Sequence, residues 1–121
     1  MKQDQSAVED SLIVCKFVGF ALGFDFQICF LRAVTGKDDL TIAELVTIGE
    51  RIYNLERLFN VREGFNRSND TLTEKFLKEP MKGGRIVLLN HLLGEYYQVR
   101  GWDENGIPTA ECLSNLKINQ P

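Results

Sequence analysis

Few side chains in this sequence could do chemistry, and their spacing removes most of what they could do. His91 is the only histidine, so neither a catalytic triad nor a multi-histidine metal site can be assembled within the chain. It shares a helix face with Glu95, and one imidazole beside one carboxylate reads as a solvated or packed pair. Cys15, Cys29 and Cys112 are an odd number of thiols with no CxxC spacing. That pattern argues against a disulfide framework and for a reducing, cytoplasmic setting. By residue type alone all three read as small buried hydrophobes. Gly83-Gly84 lacks the spacing of a phosphate-binding loop, and with Lys82 it reads as a flexible turn. Tyr96, Tyr97 and Trp102 read as core or interface, since no basic groove accompanies them. The pairs Arg62-Glu63 and Glu56-Arg57 read as solvated helix faces of little energetic weight.

Composition narrows the partners. The 121 residues suit about one domain, 44% hydrophobic and 26% charged, as in ordinary globular chains. A net charge of −3 and a pI near 5.2 oppose a nucleic-acid role, and no basic cluster offsets them. The first ten residues are acidic and polar, which is neither a signal nor a transit peptide. The most apolar stretch, Leu12 to Phe24, contains Lys16 and is too short to span a bilayer. No membrane association is expected.

The elements that would position any site are helical. Thr41 and Glu44 form a capping-box pattern, and Leu45, Ile48, Ile52, Leu55 and Phe59 follow on one helix face. Thr47, Glu50, Arg51, Asn54 and Arg57 occupy a polar face, and the run is predicted to be helical through Phe65. Gly49 in its middle predicts a close helix–helix approach. Upstream, residues 6–10 read as a polar lead-in, with Asp10 or Ser11 capping a helix that ends near Gly23. That helix is apolar on nearly every side, which implies burial in a larger assembly. Asp25 can cap a second helix that Gly36 terminates. Downstream, one or two helical turns are expected at Thr73 to Lys78. A helix from Val87 to Arg100 should close on Gly101 with Trp102 folding back, and a short helix should begin at Pro108 and Thr109 with Leu113 and Leu116 inward. The fold expected is all-α: one compact irregular helical bundle over residues 1–121, with about five to six helices and little or no sheet.

Four blocks together resemble one family. They are residues 3–17, 49–67 (with Glu56, Arg57, Phe59, Asn60, Arg62, Glu63 and Gly64), 70–80 and 95–109 (with Arg100-Gly101-Trp102-Asp103). In order and content they are similar to the C-terminal part of the tungsten-containing aldehyde:ferredoxin oxidoreductases, nearly from end to end. The resemblance implies a much longer enzyme, with a β-rich domain cradling a metal bound by two pterins and two helical domains above it. A 4Fe–4S cluster beside one pterin takes three cysteines from the middle domain and a fourth from the C-terminal domain. That fourth cysteine closes a D-x-x-G-L-C motif whose aspartate hydrogen-bonds the pterin.

Carried over residue by residue, Asp10 matches the pterin-contacting aspartate, Val14 the leucine of the turn at the cofactor, and Cys15 the cluster ligand. One cysteine then makes sense as a quarter of a thiolate set, and a carboxylate suits the N–H donors of a pterin. Ile13 stands where the motif has glycine, and its branched Cβ hinders a close backbone approach. The cluster cysteines of the middle domain, the second pterin motif and the family's acid–base residues have no counterpart here.

The resemblance thus implies part of an enzyme that oxidises aldehydes to carboxylic acids with ferredoxin as acceptor, using tungsten or molybdenum. The partners implied are the enzyme's remaining domains, ferredoxin and the aldehyde. The isolated chain is expected to bind neither cofactor tightly and to catalyse nothing. It would expose the apolar face of its first long helix, through which it could form a homodimer. A free-standing helical binding or assembly module derived from the same family is the alternative.

Overall fold

The computed structural model describes residues 2–80 and 84–119; Lys82 and Gly83 of the expected flexible turn lie outside them. Among the described residues six α-helices follow in order: α1 (Lys2–Ser11), α2 (Lys16–Thr35), α3 (Ile42–Arg62), α4 (Glu74–Lys78), α5 (Leu89–Arg100) and α6 (Ala110–Asn115). One 3-10 turn, Arg67–Asn69, lies between α3 and α4. Among the described residues there is no strand, only an isolated bridge between Trp102 and Pro108. The all-helical expectation holds. The contacts fall into two compact units, Met1–Glu56 and Arg57–Pro121.

In the first unit Val8, Ile28 and Leu45 form the core, with Leu12, Phe24 and Leu31 packed against it. The capping box of α3 is present: Thr41 N donates to Glu44 Oε2 at 2.8 Å and Glu44 N donates to Thr41 Oγ1 at 3.2 Å. The close approach at Gly49 is also present. A Cβ there would lie 2.2 Å from the carbonyl oxygen of Asp4, so only glycine lets the backbone of α1 reach α3. That contact corrects the expected polar lead-in. Residues 2–11 are helical because Asp4, Ala7 and Val8 are buried, and tertiary packing outweighs their polar composition.

A second correction follows. Asp10 and Ser11 belong to the last turn of α1 and do not cap α2; Cys15 stands at that N-cap, with no side-chain capping bond. Gly23, at φ 63° and ψ −167°, is non-helical and breaks α2 into two helical segments across a kink, where the first apolar helix was expected to end. By length and composition alone the whole of α2, counted across this kink, could cross a membrane. Gly36 ends it in the left-handed conformation, as expected. Phe17, Phe20 and Val34 of α2 are exposed in this chain.

In the second unit Leu113, Leu116 and Ile118 form a core joined by Leu58 and Cys112. α5 closes as expected: Gly101 is left-handed, and Trp102 N donates to Tyr97 O at 2.9 Å. Thr109 caps α6 by accepting from Cys112 N at 3.2 Å. The face assignment of α3 needs correcting at its C-terminal end. Leu55 and Phe59 are exposed, whereas Asn54 and Arg57 of the expected polar face are buried.

Candidate metal and cofactor site

The segment 10–15 is the loop between α1 and α2. α1 runs out in a Schellman-type closure: Ile13 N donates to Asp10 O at 3.1 Å and Val14 N to Glu9 O at 3.0 Å. Such a closure needs a left-handed residue, and here that residue is Ile13, at φ 57°. Its side chain is 93% exposed, so no packing offsets the strain. The backbone therefore takes a conformation that favours glycine, with a β-branched residue in place. Val14, half-buried, leads into Cys15. The carbonyl of Cys15 accepts from Val18 N and Gly19 N at 2.9 and 3.0 Å and so starts α2, while its thiol is exposed.

Asp10 is exposed at the other end of the loop. Both of its oxygens accept from Lys16 Nζ at 3.1 Å. An ion pair this open is worth about 0–1 kcal/mol and exchanges readily for another donor. Asp10, Val14 and Cys15 thus occupy one short turn, with a carboxylate and a thiol at its ends.

Cys29 is also exposed and Cys112 is half-buried, its thiol donating to Arg100 O at 3.3 Å. The expectation of buried cysteines therefore fails for Cys15 and Cys29. Cys15 stands at the N-cap of α2 and Cys29 within it, an apolar element on which Phe17, Phe20 and Val34 are also exposed. Among the described residues no three His, Cys, Asp or Glu side chains converge on a metal position. His91 lies 3.4 Å from Glu95, both well exposed, a solvated pair as expected.

Sequence reasoning missed what stands behind the loop. Glu9 is buried, and its Oε1 accepts from Gln5 Nε2 at 2.8 Å and from buried Gln27 Nε2 at 3.0 Å. A Cβ on Gly19 would lie 2.3 Å from that same oxygen, so α2 is packed directly on the carboxylate. The one available signal was a glycine inside an apolar helical run, the same signal that marked Gly49.

The second unit holds a different polar cluster. Arg57 donates two parallel bonds to Asp70, at 2.8 and 2.6 Å, and a third to Gly106 O at 2.7 Å. This corrects the reading of Arg57 as a solvated partner of Glu56: its partner lies 13 residues on. The Tyr97 hydroxyl donates to Asp70 as well, and the Arg57 guanidinium lies 5.0 Å over the Trp102 ring. Burial by itself raises the Asp70 carboxyl, but the bonds from Arg57 and Tyr97 outweigh it and hold its pKa below the ordinary 3.8. Burial, and then the bond to Asp70, push Tyr97 up to about 12. Arg57 and Tyr97 both donate to Asp70, and Arg57 also to the Gly106 carbonyl, which makes this a structural tie between α3, the 3-10 turn and α5.

A family model described as aldehyde ferredoxin oxidoreductase, domains 2 and 3, matches residues 1–118. The tungsten-containing aldehyde ferredoxin oxidoreductase of Pyrococcus furiosus is 42% identical over 121 residues, covering 96% of this chain and 20% of its own length. That of Thermococcus kodakarensis is 43% identical, with the same shares, 96% and 20%. That of Pyrococcus horikoshii is 41% identical, covering 98% of this chain and again 20% of its own. The chain spans about a fifth of the length of the curated relatives it matches.

Proposed function

The chain belongs to the aldehyde ferredoxin oxidoreductase family, and from that premise we propose that it is the C-terminal portion of a tungsten (or molybdenum) pterin, iron–sulfur enzyme. That enzyme oxidises an aldehyde to a carboxylic acid. One oxygen from water is added to the carbonyl carbon, and two electrons pass to ferredoxin as two protons are released. Residues 1–121 form part of its third domain. The cofactors, the pterin-bound metal and a 4Fe–4S cluster, supply the two-electron chemistry and the electron path when bound.

The observation that carries this reading is the exposed Cys15 thiol on the tight loop that also presents Asp10. The donor set fits. A lone thiol free of capping duty is a soft ligand for one iron of a cluster completed by cysteines elsewhere. A carboxylate held only by a surface lysine can accept from a pterin's N–H groups instead. Val14 lies between them in the same turn, its N–H donating to Glu9 O at 3.0 Å, and its place in the family motif makes it the second cofactor contact. This segment's task is to hold one ligand and one acceptor at a fixed spacing and to wall off the site. By itself the chain turns over nothing.

The outward face of α2, with Phe17, Phe20, Phe26, Phe30 and Val34 exposed, is the surface on which the remaining four-fifths of the enzyme packs. α2 is thus an interior helix of a cytoplasmic enzyme rather than a bilayer span. In the isolated chain the same face drives homodimer formation. Nucleic acid is not a partner of this acidic chain.

The test is metal analysis of the whole enzyme, purified without oxygen, as wild type and as Cys15→Ser. About four irons per chain plus tungsten or molybdenum, with iron lost or labile in the variant, is the expected result. Iron unchanged in the variant removes Cys15 from the cluster. No metal in either would favour a helical assembly module that has lost the family's chemistry.

A further inference from the structure

The structure assigns Glu9 as the positioning residue of the cofactor loop: it fixes the spacing between Asp10 and Cys15 by gripping the loop and α2 at once. This rests on the reading of Cys15 as a cluster ligand. The main chain of Glu9 holds the loop, since its carbonyl accepts from Val14 N at 3.0 Å, one residue before the ligand. Its side chain holds α2, since Oε1 accepts from Gln27 Nε2 at 3.0 Å. Gln5, one turn earlier on α1, donates to the same oxygen at 2.8 Å and fixes the carboxylate's rotamer. Gly19 completes the grip, because any side chain there would overlap the carboxylate. Glu9 is 2% exposed and Gln27 1% exposed, so water cannot substitute for either partner.

The consequence is mechanical. Cys15 begins α2, and Asp10 ends α1, so the angle and offset between the two helices set where the thiol stands relative to the carboxylate. The turn between them contains the strained Ile13 and cannot by itself enforce that spacing. Removing the Glu9 side chain frees α2 to shift on α1 and carries Cys15 with it. A cluster held by three cysteines of another domain then loses its fourth ligand, and the iron at that corner becomes labile.

The experiment uses the whole enzyme, purified without oxygen, as wild type, Glu9→Ala, Glu9→Gln, Gln27→Met and Cys15→Ser. Iron content and the electron paramagnetic resonance spectrum of the reduced cluster are read alongside activity. Glu9→Ala and Gln27→Met should lose about a quarter of the cluster iron, or show an altered cluster signal, as Cys15→Ser does. Glu9→Gln, which keeps an acceptor for Gln27, should restore the wild-type signal. Gln27→Met keeps the side-chain volume, so it tests the tether even where Glu9→Ala fails to fold. A perturbed Cys15→Ser with unchanged Glu9→Ala and Gln27→Met overturns the positioning role alone. Loss of signal in Glu9→Gln equal to that in Glu9→Ala also overturns it. An unchanged Cys15→Ser overturns the ligand reading beneath it.

Discussion

Replacing Ile13 with glycine should stabilise the chain, although it deletes a large apolar side chain. The residue sits at φ 57°, where an L-residue pays roughly 1–2 kcal/mol for the crowding of its Cβ. Its side chain is 93% exposed, so deletion forfeits almost no burial. Against the gain stands the extra backbone freedom of glycine in the unfolded chain, about 0.5–1 kcal/mol. The balance is a stabilisation of about 0.5–1 kcal/mol, or a rise in Tm of a few degrees for a chain of this size. Urea unfolding followed by far-ultraviolet circular dichroism reads it directly, with Ile13→Ala as the control. Alanine also has a Cβ and should recover only part of the gain. A glycine variant equal to or less stable than wild type would refute the left-handed closure of α1. In the whole enzyme proposed above, the same change restores the glycine of the D-x-x-G-L-C pattern, with Val14 still at the leucine position, and should not weaken cluster retention.

Two further outcomes follow from packing and titration. Gly49→Ala should destabilise by about 1–2 kcal/mol, since the clash with the Asp4 backbone outweighs a helix-propensity gain of about 1 kcal/mol. Gly94→Ala, on α5 with nothing within 4 Å of the new Cβ, should stabilise instead, and calorimetry of both variants reads the contrast. Stability should also fall at both ends of the pH range because of the Asp70 cluster. Asp70 has a folded pKa below 3.8, so its contribution is present above that value and lost as pH falls through the folded one. Tyr97 ionises near 12 when folded against 10.0 when not, so its contribution is present below pH 10 and is lost between the two values. The alkaline loss is on the order of 2 kcal/mol. Tyr97→Phe should abolish that limb, and identical alkaline unfolding of variant and wild type would refute the coupling.

What could be read from the residues was local. Helix caps depend on neighbours three or four positions away, and Thr41 with Glu44, Gly36, Gly101 with Trp102, and Thr109 all stand where their types place them. Gly49 was legible for a related reason: a glycine in a long helix is unfavourable unless something presses on it. The loop from Asp10 to Cys15 could be located by its resemblance to a family motif, but its conformation could not. An apolar string from Leu12 onward has the same composition whether it continues a helix or reverses direction, and only the bond from Val14 back to Glu9 distinguishes the two.

Burial was the quantity the sequence handled least well, and the misreadings share one cause. Arg57 was read as solvated and Glu9 as part of a polar lead-in, because charged residues are usually exposed. Each is buried because partners distant in sequence satisfy it: Asp70 and Gly106 for Arg57, Gln27 for Glu9. Cys15, Cys29 and Phe59 looked buried because apolar and thiol side chains usually are, yet each is exposed in this chain. The sequence by itself determined which segments are helical, where most of them stop, and the family to which the chain belongs. Tertiary structure decided which faces are covered, because that depends on pairwise partners and on surfaces supplied by other parts of the molecule. A period of three or four residues along one helix encodes neither.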